Sequence, residues 1–208
     1  MNLTVTRLDE RRYETVIQRR DGVRYHVKGV GHMFAIPHDM AHLAVEQPLG
    51  LHRGFWGSVA EGAVFGSMTY LGGRRKPGAA ERSRQVLKAN HGHIGEAEYL
   101  VRIFNDALQE GHGPDSAVLR ARLREQWTAP GHTPRRFTDE EIARVCAEWK
   151  RMLELWRALP IGGRLELDWA EDAPGSGQRP RTTNRAISRG AAETRRAAAP
   201  SPRFRGSA

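Results

Sequence analysis

The chain has a single cysteine, so no disulfide can form within its 208 residues. A lone thiol fits a reducing compartment such as the cytosol. No window approaches the roughly 18 apolar residues of a membrane-spanning helix, and the N-terminal MNLTVTRLDE lacks the apolar run of a secretory signal. We therefore predict a cytoplasmic protein with no membrane partner.

The signatures of several common enzyme classes are also missing. The sequence contains no Gly-x-Ser-x-Gly, no CxxC pair and no GxGxxG after a predicted strand. The basic stretch GGRRKPG (72–78) lacks the residue order of a P-loop, and we interpret it as a solvated loop, with phosphate contact as the less favoured alternative. Cys146 falls on the apolar face of a predicted helix, which indicates a buried structural thiol rather than a nucleophile.

Large apolar residues and acids become scarce after residue 172. Residues 173–208 contain eight arginines and one glutamate, so they carry +7 of the formal +9, and residues 1–172 carry only +2. Such a segment buries too little apolar surface to offset the entropy of ordering. We predict one domain over 1–172 and a disordered Arg-, Ala- and Pro-rich tail over 173–208. The tail is expected to be solubilising, and weak nonspecific contact with nucleic acid or another polyanion is the alternative.

The start of the chain has the pattern of a sheet. Three segments are rich in β-branched and aromatic residues with partial alternation of apolar and polar positions: residues 3–8, 13–18 and 23–30. The dipeptide Asp21-Gly22 between the second and third is a strong hairpin signal. We therefore predict a three-stranded antiparallel meander.

The rest of the domain is predicted to be helical until its last strand. Helices are expected over residues 37–47, 54–68, 79–90, 94–109, 115–127 and 139–159. In the last of these, Thr138 and Glu141 have the spacing of a capping box. Residues 163–169 alternate and predict a strand that returns to the N-terminal sheet. The fold class is therefore α+β.

The segment PHDMAHLAVEQ (37–47) concentrates the residues that can carry chemistry. On a helix at about 100° per residue, His38, His42 and Glu46 fall within roughly 80° of one another, and Asp39 lies just beyond them. Two imidazoles one turn apart can bind a single metal ion. A solvent-facing or structural polar stripe is the alternative interpretation, since any amphipathic helix has one.

A zinc site with catalytic potential needs a third protein ligand and an open position. Glu61, on the next predicted helix, is the preferred third ligand, with Asp39 orienting or deprotonating a bound water. Other third ligands stay open: Glu46, His52, His91 and His93. The last two could also form a separate metal-binding pair, although a polar loop at a helix end is the preferred interpretation.

The segment His38-Asp39-Met40-Ala41-His42 resembles the HDxxH zinc motif of the coenzyme Q biosynthesis proteins and, more distantly, the HExxH motif of zinc metallopeptidases. The coenzyme Q family has a glutamate twelve positions after its second histidine, where this chain has Gly54. In gluzincin peptidases the downstream glutamate lies at about the separation of Glu61, and their general base is Glu where this chain has Asp39. The resemblance implies zinc as the metal. The longer segment IPHDMAHLAVEQPLGLHRGFWG is similar to small uncharacterised bacterial proteins, which implies no function.

Two hypotheses follow. In the first, the protein binds a divalent metal, zinc, through His38, His42 and Glu61 and has hydrolase- or lyase-like potential. In the second, it is a non-catalytic interaction module whose Arg-rich tail contacts a polyanion or a protein partner.

Overall fold

The fold is α+β, as predicted, in a computed structural model that describes residues 1–30, 35–125 and 135–170. Its five strands form one antiparallel sheet in the order β4-β3-β2-β1-β5. The strands are β1 (Asn2–Arg7), β2 (Arg12–Gln18), β3 (Arg24–Val30), β4 (Thr69–Gly72) and β5 (Arg164–Asp168). The predicted meander is β1-β2-β3, and the predicted C-terminal strand is β5, paired with β1.

One face of this sheet is buried, because paired residues on neighbouring strands share a side. Leu3 is opposite both Ile17 and Leu167, and Ile17 is opposite Tyr25. All four side chains are buried. The face that they form packs against the helical part of the domain in a single apolar core.

The helices differ from the sequence prediction at two places. They are α1 (His38–Leu49), α2 (Phe55–Glu61), α3 (Ala79–Gln109), α4 (Ala117–Glu125) and α5 (Asp139–Ala158). The helix predicted over 54–68 ends at Glu61, since Gly62 takes a φ of 128°. The two helices predicted over 79–90 and 94–109 are one, because glycine within a helix costs only about 1 kcal/mol, which tertiary packing outweighs.

The edge strand β4 was not predicted. It is four residues long and mostly exposed, so it has neither the length nor the alternation that reveals a strand in a sequence.

The capping box at Thr138 and Glu141 is present at the start of α5, as predicted.

Helix α1 lies at the centre of the helical part and contacts α2, α3 and α5. Nine of its twelve residues are buried and the other three are partly buried, so no side of the helix is a free surface over its middle turns. Cys146 on α5 is buried, and this burial raises the pKa of its thiol to about 11, in keeping with a structural role.

Two further predictions concern the rest of the chain. Across residues 1–30, 35–125 and 135–170, none of the helices combines the length and hydropathy needed to span a membrane. The tail predicted over 173–208 lies outside the described residues, so its polyanion contacts stay a prediction.

Candidate metal centre

The polar stripe of α1 is buried rather than solvated. His38, His42 and Glu46 follow one another on successive turns, as predicted. The side chain of His42 is 1% exposed and that of Glu46 is 0% exposed, whereas His38 is 38% exposed at the outer end. The solvent-facing interpretation is therefore wrong for His42 and Glu46, because α2 and α3 contact α1, whereas the structural interpretation of the stripe stays open beside the metal site.

Glu46 is held by three N–H donors. Its Oε1 accepts hydrogen bonds from Nδ1 of His42 at 2.7 Å and from the backbone N–H of Phe55 at 3.0 Å. Its Oε2 accepts from the backbone N–H of Trp56 at 3.0 Å. Phe55 and Trp56 begin α2, so the carboxylate caps N–H groups that have no partner within their own helix. Glu46 thus fixes the ring of His42 and the start of α2 together.

Gly54 makes this arrangement possible. A Cβ on Gly54 would lie 2.6 Å from Oε2 of Glu46, a distance that no methyl group tolerates. The lack of a side chain at Gly54 lets the buried carboxylate reach the first N–H groups of α2.

Glu98 of α3 meets the two imidazoles. Its Oε1 lies 3.3 Å from Nε2 of His42, and its Oε2 lies 3.3 Å from Nε2 of His38. The ligand atoms of the three residues all lie within 4.8 Å of one another. Nε2 of His42 is buried and has no well-formed hydrogen bond within the described residues, and an oxygen of Glu98 approaches it at 3.3 Å. Two imidazole nitrogens and one carboxylate therefore form a compact cluster of potential ligand atoms.

The charges in this cluster support one another. Burial alone would lower the pKa of His42, but the nearby carboxylates of Glu46 and Glu98 outweigh it and raise that pKa to about 9. Burial alone would raise the pKa of Glu98, but His38 and His42 hold it well below its ordinary value. Glu98 is therefore ionised at neutral pH, and His42 carries a proton that a metal ion would have to displace.

The cluster is open on one side. The side chain of Glu98 is 48% exposed and that of His38 is 38% exposed, so both reach solvent while His42 closes the inner end. Phe55 packs beside the ring of His42, with the ring centroids 5.2 Å apart, and forms an apolar wall. The outer side of the cluster is therefore in contact with solvent.

Glu61, the preferred third ligand from the sequence, is placed elsewhere. Its Oε2 accepts a hydrogen bond of 3.1 Å from the side-chain amide of Asn90. It lines a separate, shallow pocket together with His52 and Trp169. Among the described residues, the cluster of three potential ligands contains Glu98 and neither Glu61 nor His52.

Asp39 faces the sheet. Its side chain is buried beside the hydroxyl of Thr15 on β2, and one of its carboxylate oxygens lacks a hydrogen-bond partner within the described residues. Burial raises the pKa of Asp39, and Thr15 and the two imidazoles oppose that rise. This placement gives Asp39 contacts in the core and leaves it outside the group formed by His38, His42 and Glu98.

The other candidates lie on α3. His91 and His93 are exposed within the continuous helix rather than in a loop, and Nδ1 of His93 lies 3.5 Å from Oε2 of Glu96.

Glu98 itself was missed by the sequence prediction. Its only sequence signal was a carboxylate on a predicted helix, and nothing in the sequence says that this helix crosses α1 at the two histidines.

Comparison of the chain with models of protein families, with curated proteins and with solved structures gives no significant match. A function for this chain must therefore be inferred from the geometry of the site.

Proposed function

We propose that the protein binds one divalent metal ion through Nε2 of His38, Nε2 of His42 and the carboxylate of Glu98. The observation that supports this proposal is the pair of 3.3 Å separations from Glu98 to the two nitrogens. Ligand atoms about 2.05 Å from a zinc ion at tetrahedral angles stand about 3.3 Å apart. Each imidazole nitrogen thus stands at about that distance from one oxygen of Glu98, Oε2 for His38 and Oε1 for His42, and the ligand atoms of the three residues lie within 4.8 Å of one another.

The contact of Glu46 with the other ring nitrogen of His42 supports the same proposal. Histidines that bind metal commonly donate their second ring N–H to a carboxylate, which fixes the tautomer and the direction of the ring. The 2.7 Å contact between Nδ1 of His42 and Glu46 has this form, and it leaves Nε2 to face Glu98 and His38.

Zinc is the ion that we propose, since two histidines and one glutamate form the ligand set of several zinc hydrolases. A bound zinc ion lowers the pKa of a coordinated water toward neutrality, which permits hydrolytic or lyase-like chemistry. In this chain, His38 and Glu98 would hold the ion at the open side, and Phe55 would limit access of solvent to the inner side.

The test is the metal content of the full chain purified from zinc-supplemented cells. We expect about one equivalent of zinc in the unaltered protein and less than about 0.2 in His38→Ala and in Glu98→Gln. Both altered side chains are partly exposed, so these variants should fold, which circular dichroism and thermal melting will check.

Two matched controls address the sequence predictions. Glu61→Gln and Asp39→Asn each remove one carboxylate outside the cluster, so both variants should keep about one equivalent of zinc. The proposal fails if the unaltered protein binds no divalent metal, or if His38→Ala and Glu98→Gln retain it. Loss of the metal in Glu61→Gln alone would restore Glu61 as the ligand.

A further inference from the structure

A second site lies at the other end of α3. A cavity of about 280 Å³, open to solvent, lies between the turn joining β2 and β3, the segment that follows α2, the basic loop 72–78 and the first turn of α3. Four cationic side chains line it, with one acid among them: Arg19, Arg75, Lys76, Arg82 and Asp21. The basic loop 72–78 is mostly exposed, as predicted, and it also forms one wall of this cavity.

The single acid neutralises only one of these cations. Asp21 binds the guanidinium of Arg19 through both of its carboxylate oxygens, which holds the pKa of Asp21 below its ordinary value. In the part of the chain that the structure describes, Arg75, Lys76 and Arg82 form no salt bridge. The cavity therefore keeps a surplus of about three positive charges, which favours an anion.

The guanidinium groups are held in place by aromatic rings. Arg75 stacks on Tyr70 at 3.8 Å from the ring centroid and lies 5.8 Å from the centroid of Tyr25. Arg19 lies 5.7 Å from the same ring of Tyr25. Stacking of this kind orients a guanidinium and leaves its N–H edge available to a ligand.

The side chains of Arg19 and Arg82 also approach each other at Gly62. A Cβ on Gly62 would lie 3.4 Å from Cδ of Arg82 and 4.0 Å from Nη1 of Arg19. Arg82 thus lies beside Arg19 through its aliphatic carbons, and its guanidinium is a further cation of the cavity that can bind a phosphate through charge-assisted hydrogen bonds. The N-terminus of the 31-residue helix α3 adds a positive potential on the same side.

We propose that this cavity binds the phosphate group of a small organic phosphate, of the size of a nucleotide. The cations and the start of α3 would contact the phosphate, and the buried ring of Tyr25 with Val64 and Pro77 would contact the organic part. The volume is just below the usual range of small-molecule pockets, about 300–1,000 Å³, which favours a compact ligand over a polymer.

This site is separate from the metal centre. Ser83 of the cavity and Glu98 of the cluster are both on α3, and fifteen residues of helix span about 22 Å. Removal of metal should therefore leave phosphate binding unchanged, so the two proposals can fail independently.

The test is calorimetric titration of the full, chelator-treated chain with adenosine diphosphate and with pyrophosphate at low salt. We expect Arg75→Ala combined with Arg82→Ala to weaken binding by at least about tenfold. The matched control, Arg102→Ala combined with Arg144→Ala, removes two exposed arginines elsewhere and should change affinity by less than about twofold.

Three outcomes would overturn the proposal. The first is no binding of either probe at about 1 mM. The second is an equal loss in the control variant, which would indicate nonspecific attraction by net charge. The third is tight binding of a single-stranded oligonucleotide with none of adenosine diphosphate, which would assign the surface to a polymer. All altered side chains are exposed, and thermal melting will confirm that each variant is folded.

Discussion

Nδ1 of His42 lies 2.7 Å from Oε1 of Glu46, and both side chains are fully enclosed by the protein. A buried carboxylate without partners would be costly, and here it accepts N–H groups from a neighbouring turn and from the start of a second helix. One carboxylate therefore couples the direction of a candidate metal ligand to the packing of α2 on α1.

Substitution of Glu46 by Gln should affect both metal binding and stability. The amide has nearly the same shape, but its NH2 group would face an N–H donor where a carboxylate oxygen accepted one. We expect zinc affinity to fall about 10–100-fold and the free energy of unfolding to fall by about 1–3 kcal/mol. Competition with a chromogenic chelator and urea denaturation measure the two effects. Glu61→Gln is the control, and equal losses there would contradict the role of Glu46.

Substitution of Gly54 by Ala should act on the same carboxylate from the other side. The new Cβ would lie 2.6 Å from Oε2 of Glu46, so either the carboxylate or the start of α2 must move. We expect the free energy of unfolding to fall by about 1–3 kcal/mol, as in other overpacked cores. Gly66→Ala is the matched control, since nothing lies within 4 Å of a Cβ there. Similar melting temperatures for the two variants would show that the close contact is unimportant.

Zinc binding should release a proton. Because the pKa of His42 is raised to about 9, this side chain holds a proton at neutral pH in the metal-free protein, whereas Glu98 is already ionised. A metal at Nε2 displaces that proton, so affinity should rise with pH, about tenfold per unit between pH 6 and 8 for each proton released. Calorimetry in buffers of different ionisation enthalpy counts the protons. Affinity independent of pH would argue against Nε2 of His42 as a ligand.

Two glycines within α3 offer a gain in stability. Gly92 and Gly95 are helical, have no unusual φ, and a Cβ at either would meet nothing within 4 Å. Alanine at each position should therefore raise the free energy of unfolding by about 0.5–1 kcal/mol. Urea denaturation of each single variant tests this expectation. A loss of stability would mean that α3 needs a flexible point between its two halves.

The sequence predicted local features well and distant contacts poorly. The meander, the polar stripe of α1 and the capped start of α5 depend on residues close together in the chain, where spacing and turn chemistry determine the structure. The short strand β4 forms because it pairs with the edge of β3. The residues of β4 alone therefore do not predict a strand.

Glu98, the third residue of the candidate cluster, likewise shows that contacts between distant parts of the chain are not predicted from the sequence. Glu61 was preferred because of its separation from His42 along the chain, yet the carboxylate at the histidines is Glu98. Its position follows from the packing of α3 across α1, and that packing depends on the shape of the whole core. A pattern of residue types cannot supply this information.

The contact between Gly54 and Glu46 has an evolutionary consequence. If the proposed metal centre is under selection, the two histidines cannot vary alone: a lineage that acquires a side chain at position 54 loses room for the buried carboxylate and with it the support of His42. Descendants that keep His38, His42 and Glu98 should then also keep Glu46 and Gly54. In a lineage in which metal binding is no longer selected, these five residues should instead be substituted together. The branch on which those substitutions occur would then date the loss of the site.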